Sequence, residues 1–316
     1  MPNPEKIKIS VIIPCFNEEK FLPSLFDALT KLSTAKNTYE VIIVDNGSSD
    51  RSVDIAKEQS AKVLIVPDAN ISELRNIGAQ NADGDIFSFM DADCLPLPEW
   101  LDEASKYKEK PDVGLFGCIP ACPEDGTWVE KAWIGVSPKG IKNVNFICTA
   151  NMHIKKDVFE KVGGFDESLI TGEDYDICQR ILKAGYKIVQ DDKVAVVHLR
   201  YPKTIIDRFK KEIWYGKEMS DILKVKPLYK PFWVSLVFGF SFIINIMCIL
   251  TMNFGLLFYI SLSLFFSLPA LSAAFKVIKS KKYEKYFPLS LLYFIYLAGR
   301  FCAIIINYRS FFNKTR

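Results

Sequence analysis

A long uncharged stretch in the C-terminal third of the chain constrains its fold more than any other feature. Residues 231–275 contain no Asp, Glu, Lys, Arg or His. A helix needs about 20 apolar residues to cross a bilayer, so the stretch has room for two crossings with a turn near Asn253 and Gly255. Buried helices of a soluble core would account for one such segment but hardly for two in tandem. The sequence therefore predicts two transmembrane helices in 231–275.

Lysines cluster on both sides of the uncharged stretch. Because the cytoplasmic flanks of transmembrane helices carry an excess of Lys and Arg, we expect both ends of the helix pair to face the cytoplasm, together with the N-terminal part of the chain. The segment 276–285 is accordingly predicted to be a basic cytoplasmic loop. The lysines concerned are Lys224, Lys226 and Lys230 before the stretch and Lys276, Lys279, Lys281, Lys282 and Lys285 after it.

A third apolar run lies within 286–316, and its placement is open. Arg300 interrupts the run, and an ionisable side chain is costly inside lipid. Arg309, Lys314 and Arg316 make the tail basic, which disfavours placing it outside the cell. The segment is therefore predicted to be either a third crossing or an interfacial, re-entrant segment followed by a tail.

The segment 201–230 contains an amphipathic helical pattern. Ile205, Ile206, Phe209 and Ile213 fall on one helical face, with lysine and arginine elsewhere, as in helices that lie at a membrane surface. A helix packed on a globular core is the alternative. We predict an interfacial segment, so membrane lipid is an expected partner and the protein is expected to be a multi-pass protein of the cell membrane.

Residues 1–200 show a regular alternation of strand and helix patterns. Apolar, β-branched runs at 7–13, 40–44, 62–66 and 85–90 each stop at Pro or Asp, and helical patterns lie between them. This alternation predicts an α/β domain with a doubly wound, mostly parallel sheet. Such sheets bind ligands beyond the C-terminal ends of their strands. Polar motifs follow three of these runs, which indicates an enzyme rather than a scaffold.

Composition and charge exclude several classes of protein. Forty Lys and Arg stand against 37 Asp and Glu, for a net charge of +3, whereas a general nucleic-acid binder usually carries a larger basic excess. We therefore expect no nucleic-acid partner. The first residues lack the apolar run of a cleaved signal peptide. The eight scattered cysteines are expected to be reduced thiols in a domain that faces the cytosol.

Asp91 and Asp93 follow the fourth apolar run and are separated by one residue. Alternate side chains at a strand end point the same way, so the two carboxylates offer a hard-oxygen site for Mg²⁺ or Mn²⁺. Substrate phosphates usually complete such a site, and the metal neutralises charge on a departing diphosphate. His198, at the end of a later β-branched run, could join the metal shell, or it could be a structural histidine.

Three further motifs carry groups that a nucleotide or an acceptor could use. Asp45 ends the second apolar run and could accept a hydrogen bond from a base or a ribose, while residues 48–50 after it are expected to cap a helix. Arg75 could neutralise a diphosphate, although for the isolated residue a surface position is favoured. Glu173 and Asp174 offer a carboxylate that could take a proton from an attacking hydroxyl, or they could stabilise the first turn of a helix.

Together these motifs resemble the family 2 glycosyltransferases, which have a GT-A fold and a membrane-anchoring C-terminal part. The resemblance covers about residues 7–200. It implies a nucleotide-sugar donor, a divalent metal and inversion at the anomeric carbon. The matching stretches are VIIPCFNEEKFL, EVIIVDNGSSDRS, LRNIGAQNADGDIFSFMDADC and NFICTANMHIKKDVFEKVGGFDESLITGEDYDICQRILKAGYKI.

Carried over residue by residue, the resemblance implies a role for each matching position. Asp174, beside Glu173, would be the catalytic base. Asp91 and Asp93 would hold the metal, and His198 would be a looser match to a late metal ligand. The residues implied to contact or approach the donor are Pro14, Asn17, Glu18, Asp45, Arg75 and Asp91.

The stretch around Arg180 departs from one pattern of the family. Processive polysaccharide synthases carry Gln-x-x-Arg-Trp, but here Gln179 is followed directly by Arg180 and no Trp lies nearby. We therefore predict transfer of a single sugar rather than processive synthesis. Arg180 could face the donor diphosphate, or it could form a helix ion pair with Asp176, four residues earlier.

The sequence thus predicts an inverting, metal-dependent glycosyltransferase at the cytoplasmic membrane face. It would move one sugar from a nucleotide-sugar donor to a hydroxyl of a lipid-linked saccharide, in cell-surface polysaccharide or glycan assembly. One alternative is a polyprenyl-monophosphate glycosyltransferase, in which the attacking phosphate needs no base. Another is a non-catalytic membrane sensor or scaffold that binds a nucleotide sugar. A dinucleotide-dependent oxidoreductase is disfavoured because no G-x-G-x-x-G follows the first strand.

Overall fold

The structure is a computed structural model that describes residues 7–33, 37–134, 140–169, 172–216, 223 and 228–307. The chain forms two compact units. The first, here called the sheet unit, contains Met1–Pro123 and Lys139–Arg200. The second, here called the helical unit, contains Glu124–Pro138 and Tyr201–Arg316. Five of the basic residues used above to predict orientation lie outside the described residues: Lys224, Lys226, Arg309, Lys314 and Arg316.

The strands of the described residues all belong to the sheet unit, and the first four are separated by helices as the alternation predicted. The strands are β1 (Ile7–Cys15), β2 (Asn37–Asp45), β3 (Lys62–Ile65), β4 (Ile86–Met90), β5 (Cys94–Pro96), β6 (Val113–Gly117), β7 (Lys142–Val144), β8 (Asn151–Lys155), β9 (Lys187–Gln190) and β10 (Val196–His198).

The helices belong to both units. Those of the sheet unit are α1 (Leu22–Thr30), α2 (Ser52–Glu58), α3 (Ile71–Gln80), α4 (Trp100–Ser105), α6 (Lys156–Val162) and α7 (Glu173–Lys183). Those of the helical unit are α5 (Trp128–Ile134), α8 (Ile205–Gly216), α9 (Lys230–Leu250), α10 (Leu256–Ser280) and α11 (Tyr286–Ile306).

An eight-stranded sheet in the order β3-β2-β1-β4-β8-β6-β9-β7 forms the centre of the sheet unit. The first four strands in this order are parallel. β8 runs antiparallel to both β4 and β6, β9 is parallel to β6, and β7 is antiparallel to β9. β10 and β5 form a separate antiparallel pair. The predicted α/β class with a mostly parallel sheet is confirmed, with β8 as an antiparallel strand in its middle.

Apolar clusters cover both faces of this sheet. Ile13 belongs to one cluster and Ile12 to the other, because successive residues of a strand point to opposite faces. All five residues of β4 are buried. Burial on both faces explains why these strands appear in the sequence as continuous apolar runs rather than alternating ones.

Helix α3 lies unusually close to the sheet. A Cβ atom on Gly78 would come within 2.4 Å of Ile12 Cγ2, so only a glycine permits this approach. A capping box fixes the start of the helix: Asn70 Oδ1 accepts from the N–H of Glu73, and the Glu73 side chain accepts from the N–H of Asn70. This placement carries Arg75 into the interior, where it is 3% exposed.

Asn151, the first residue of β8, joins distant parts of the sheet unit. Its buried side chain donates to the carbonyl oxygens of Cys118 (3.2 Å) and Val194 (2.7 Å) and accepts from Trp100 Nε1 (3.0 Å). Val194 lies two residues before β10. This one amide therefore helps to fix the strand on which His198 lies.

In the helical unit, three helical spans among the described residues are long and apolar enough to cross a membrane. They are Lys230–Leu250, Leu256–Ser280 and Tyr283–Ile306, the last of which includes α11. The turn predicted at Asn253 and Gly255 lies between the first two, and there the N–H of Gly255 donates to Asn253 Oδ1 at 3.2 Å. These helices could anchor the protein in a membrane.

Helix α8 packs along α11 with two of its charged residues, Arg208 and Glu212, inward. Arg208, Glu212 and Gly216 are buried, and a Cβ atom on Gly216 would lie 2.2 Å from Ala303 Cβ. Ile206, from the predicted apolar face, is instead exposed. An exposed apolar side is compatible with the predicted interfacial segment, which stays a prediction.

Replacing Asn151 by Ala is expected to lower the free energy of unfolding by about 2–4 kcal/mol, because three buried polar groups lose their partner. Thermal unfolding of the detergent-solubilised protein measures the change. Asn143→Ala, at an exposed position of β7, is the control and should shift the unfolding free energy by less than about 0.5 kcal/mol. Equal effects of the two changes would contradict the role given to Asn151.

Candidate active site

Hydrogen bonds join the polar loops that follow β1 and β2. The N–H of Asn17 donates to Ser48 Oγ at 2.8 Å, and Asn17 Oδ1 accepts from the N–H of Ser49 at 2.9 Å. The N–H of Glu18 donates to Ser52 Oγ at 2.7 Å. Asn17 has a φ of 56°, in the left-handed region that asparagine tolerates. The two loops are thus held in one defined arrangement.

Asp45, at the end of β2, organises the second loop. Its side chain is fully buried; Oδ1 accepts from the N–H groups of Gly47 (3.0 Å) and Ser48 (2.8 Å), and Oδ2 accepts from Ser48 Oγ (2.5 Å). An Asp that follows a strand commonly bonds to the backbone two residues later, so these oxygens serve the loop. Contact between Asp45 and a base stays a prediction. The N-cap residue of α2 is Arg51, without a side-chain capping bond, so the expectation that residues 48–50 cap this helix is wrong; Asp50, one residue earlier, accepts through Oδ1 from the N–H of Ser52 at 2.9 Å.

Asp93 and His198 lie together although more than 100 residues separate them in sequence. The pairing of β5 with β10 sets His198 opposite Cys94, and Asp93 Oδ1 lies 3.6 Å from His198 Nε2. Burial raises the pKa of Asp93, and the nearby charge of Asp91 adds to the rise, whereas His198 opposes it. The Sγ atom of Cys94 also lies within 4.8 Å of the Asp93 and His198 ligand atoms.

The residues present fit a divalent cation. Asp93 Oδ1 is buried and makes no hydrogen bond, and half-buried Asp91 supplies a second carboxylate. Burial raises the pKa of the Cys94 thiol, so the neutral thiol is a poor ligand. His198 Nδ1 accepts from the N–H of Arg200 at 3.1 Å; ligation through Nε2 would need a proton on Nδ1 and hence the loss of that bond.

Arg200 is a site residue that sequence analysis missed. Its guanidinium bonds to Glu18, its Nε lies 3.3 Å from Asp93 Oδ2, and its Cζ lies 4.5 Å from the ring centroid of Phe21. Burial raises the pKa of Glu18, and Arg200 opposes the rise. The only sequence signal was its place two residues after His198, which is too weak to separate it from a surface arginine.

Arg75 is buried between two acidic residues rather than at the surface. Nη1 donates to Glu173 Oε1 at 2.8 Å, and Nη2 lies 3.5 Å from Asp91 Oδ1. Its Cζ lies 5.7 Å from the ring centroid of Phe165, and its Nε has no acceptor. The prediction that Arg75 lies at the surface, favoured when the residue was considered alone, is therefore wrong. Arg75 points inward because α3 packs close to the sheet.

Asp174 lies in the first turn of α7, next to Glu173. Gly172 precedes the helix with a φ of 77°, a conformation that favours glycine. Asp174 Oδ1 accepts from the N–H of Tyr175 at 2.7 Å. Burial raises the pKa of Asp174 to about 7, the charge of Glu173 adds to the rise, and Arg75 opposes it. A carboxyl group that titrates near neutral pH can take and release a proton under ordinary conditions.

Two residues predicted to bind the nucleotide-sugar donor, Arg180 and Pro14, contact other parts of the sheet unit in the structure. Arg180 Nε donates to Asp176 Oδ2 at 2.7 Å and its Nη1 donates to the carbonyl oxygen of Val162 at 2.6 Å. These contacts favour the helix ion pair over the diphosphate contact, which stays a prediction. Pro14 lies half-buried in β1, in register with Val44 of β2.

The chain is similar to known glycosyltransferases. Residues 10–163 match the family model described as Glycosyl transferase family 2. Glycosyltransferase AglE of Haloferax volcanii is 32% identical over 66% of this chain and 72% of that protein. The dolichyl N-acetyl-alpha-D-glucosaminyl phosphate 3-beta-D-2,3-diacetamido-2,3-dideoxy-beta-D-glucuronosyltransferase of Methanococcus voltae is 27% identical over 75% of this chain and 79% of that protein.

The fold is also shared with a solved structure. Mannosyltransferase PcManGT from Pyrobaculum calidifontis, in complex with GDP-Man and Mn²⁺, aligns with a TM-score of 0.62 and 17% identity over 99% of this chain and 89% of that chain. The sheet unit followed by apolar helices is thus a GT-A-like architecture. The protein is a glycosyltransferase, and the alternative of a non-catalytic sensor is set aside. By the motifs, the site and these similarities, the chain belongs to glycosyltransferase family 2.

Proposed function

We propose that this glycosyltransferase moves one sugar, with inversion, from a nucleotide-sugar donor to a hydroxyl group of a lipid-linked saccharide. The observation that carries the proposal is that Asp91 lies close enough to both Asp93 and Asp174 to interact with their charges, with Arg75 beside Asp91 and Glu173. Arg75 contacts Asp91 and the neighbour of Asp174, and Asp91 in turn raises the pKa of both Asp93 and Asp174. Carboxylates that repel one another in this way are typical of functional sites.

The donor is proposed to bind across the strand-end loops. Asn17 and Glu18 of the first loop are joined to the second by hydrogen bonds, so their positions are preorganised for a nucleotide. Arg200 and Arg75 supply positive charge beside the carboxylates. Such guanidinium groups can offset the charge of a diphosphate as it leaves.

Asp91 and Asp93 are proposed to hold Mg²⁺ or Mn²⁺, with His198 as a further candidate ligand. The unbonded buried oxygen of Asp93 supports this assignment, and so does the Mn²⁺ in the complex of the similar mannosyltransferase. When bound, the cation supplies positive charge against the diphosphate leaving group.

Asp174 is proposed to be the general base. Its carboxylate takes the proton from the acceptor hydroxyl, whose oxygen then forms a bond to the anomeric carbon. The bond from that carbon to the diphosphate breaks on the opposite side, which inverts the configuration. Glu173, bonded to Arg75, fixes the start of α7 and so positions Asp174.

The acceptor is proposed to be carried by a lipid at the cytoplasmic face. Three helices of the described residues could anchor the enzyme, and anchoring would raise the effective concentration of a lipid-linked acceptor. The name of the Methanococcus voltae relative refers to a dolichyl-linked sugar phosphate. We also propose the segment division given above, with 1–200 catalytic, 201–230 interfacial, and 231–275 and 286–316 membrane-associated. The segment 276–285 is proposed to face the cytoplasm, although its first five residues are the end of α10 rather than a loop.

A polyprenyl monophosphate acceptor is the second candidate. Its attacking oxygen is already ionised and needs no base, so the raised pKa of Asp174 argues for the hydroxyl acceptor instead. Turnover with bare polyprenyl phosphate, unaffected by loss of Asp174, would favour this second candidate.

Membranes that contain the enzyme, supplied with a panel of nucleotide sugars, should yield lipid-linked products that are one sugar larger. Mass spectrometry of the extracted lipids detects them. Asp174→Asn is expected to keep donor binding and to lose transfer by at least about 100-fold, because a positioned base contributes roughly 10²–10⁴ in rate. Near-normal transfer by Asp174→Asn would remove Asp174 from the mechanism.

The pH dependence of rate and of stability should both reflect Asp174. The rate should rise with pH and level off above about 7, the pKa of the carboxyl group. Because this pKa lies above the ordinary value of 3.8, the folded state binds the proton more tightly, and stability should fall as the pH rises from about 4 through about 7. In the metal-free protein, the Asp174→Asn variant should not show this fall in stability with pH. It should be more stable than the natural protein at pH 8. Equal stability of the two proteins at pH 8 would contradict the raised pKa.

Removal of divalent metal with a chelator should abolish transfer, and added Mn²⁺ or Mg²⁺ should restore it. Asp93→Asn should weaken Mn²⁺ binding, measured by electron paramagnetic resonance, by about tenfold or more, because one charged ligand is lost. Asp83→Asn, an exposed carboxylate before β4, is the control. Full activity in the presence of the chelator would exclude a catalytic metal.

A further inference from the structure

A group of charged side chains lies buried in the helical unit. Arg208 and Glu212 of α8 are 6% and 0% exposed, and Arg300 of α11 is 9% exposed. Arg300 Nε donates to Glu212 Oε2 at 2.7 Å, and Arg208 donates to Glu212 Oε1. Half-buried Lys276 of α10 joins them through Trp133, whose ring centroid lies 4.6 Å from Lys276 Nζ and 3.5 Å from Arg208 Cζ. We call Arg208, Glu212, Lys276 and Arg300 the cationic cluster.

The cationic cluster carries more positive than negative charge. In the part of the chain that the structure describes, Glu212 is the one carboxylate that pairs with the basic residues of the cluster, and it pairs with Arg208 and Arg300. Aromatic faces give partial compensation, since Arg300 Cζ lies 5.4 Å and 5.3 Å from the ring centroids of Tyr215 and Tyr296. A cation–π contact contributes only about 0.5–2 kcal/mol, whereas a buried charge without a counter-charge costs several kcal/mol. The arrangement is therefore short of negative charge.

Some N–H groups of the cationic cluster have no hydrogen-bond acceptor within the described part of the chain. Arg208 Nε is buried and donates to no acceptor. Lys276 Nζ donates to the carbonyl oxygen of Trp133 at 3.3 Å, its one acceptor among the described residues, although an ammonium group has three N–H donors. Because Glu212 bonds to both arginines, their guanidinium groups are held in fixed orientations. The cluster thus offers preorganised donors to an anion.

The position of Lys276 indicates where such an anion would come from. Lys276 lies four residues before the end of α10, or about 6 Å along the helix axis. Lys279, Lys281 and Lys282 follow it, as at a membrane surface. Tyrosine and tryptophan around the cluster are the residues typical of this interfacial level. The nearest phosphate groups at that level belong to lipids.

We propose that the cationic cluster binds the phosphate group of the lipid acceptor, as a phosphomonoester or a diphosphate on a polyprenyl-type chain. The proposal rests on the lipid-linked acceptor proposed above and assigns it a binding site in the helical unit. Arg208 and Lys276 supply the free donors, and Arg300 adds positive charge. Guanidinium groups match the oxygens of a phosphate, and an ammonium group adds a point charge.

Lipid binding to the full-length protein tests the site without relying on sugar transfer. Native mass spectrometry of the detergent-solubilised protein gives the dissociation constant for polyprenyl monophosphate and polyprenyl diphosphate. Lys276→Gln should weaken binding of both lipids by about tenfold or more, and Lys276→Arg should restore most of it. Lys279→Gln is the matched control, because Lys279 is an exposed lysine on the same helix, and it should bind both lipids as the natural protein does.

Phosphatidic acid and inorganic phosphate are the competing ligands in the same titration. Binding of either as tightly as the polyprenyl phosphates would overturn the assignment to the acceptor. Equal lipid affinity of Lys276→Gln and Lys279→Gln would overturn the site. In transfer assays, Lys276→Gln should raise the KM for the lipid acceptor and leave the KM for the donor unchanged. Donor binding is measured separately, so failure of the proposed sugar transfer and failure of this lipid site give different results.

Discussion

The ion pairs of the buried Arg75 hold together the parts of the chain that carry the candidate site residues. Its guanidinium bonds to Glu173, at the start of α7, and lies beside Asp91, just after β4. A buried pair adds little net stability, but removing one partner leaves an uncompensated charge and is strongly destabilising. The position of Arg75 depends in turn on Gly78, which lets α3 approach the sheet. Through these contacts the carboxylates proposed to act in catalysis share one site although they come from different elements.

The site concentrates negative charge and is only partly compensated. Burial and mutual repulsion raise the pKa values of Glu18, Asp93 and Asp174. Arg75 and Arg200 reduce this repulsion without removing it. The arrangement therefore costs stability in the absence of ligands, a cost typical of sites shaped for function. A cation and a positioned acceptor proton are the two features that would relieve it.

The helical unit contains a second buried arrangement of arginine and carboxylate. Its excess charge is positive, whereas that of the candidate site is negative. An isolated Arg300 would be costly within an apolar segment, and its bond to Glu212 offsets that cost. The same bond joins α8 to α11 on the side of α8 where Arg208 and Glu212 are buried, while Ile206 is exposed. Because Arg300 is paired, its charge does not decide whether α11 crosses the membrane or lies along the membrane surface. The excess of positive charge that remains is the basis for the proposed lipid-phosphate site.

The sequence by itself determined the α/β class, the alternation of the first four strands with helices along the chain, the apolar helices and the family. These features follow from local patterns: apolar runs, the polar residues that end them, and a spacing of two between Asp91 and Asp93. Only the tertiary structure decided that Arg75 is buried, that Asp45 bonds to its own loop, that β8 is antiparallel and that Arg200 enters the site. Except for the Asp45 turn, these facts rest on contacts between residues far apart in sequence, and a local pattern carries no information about distant partners.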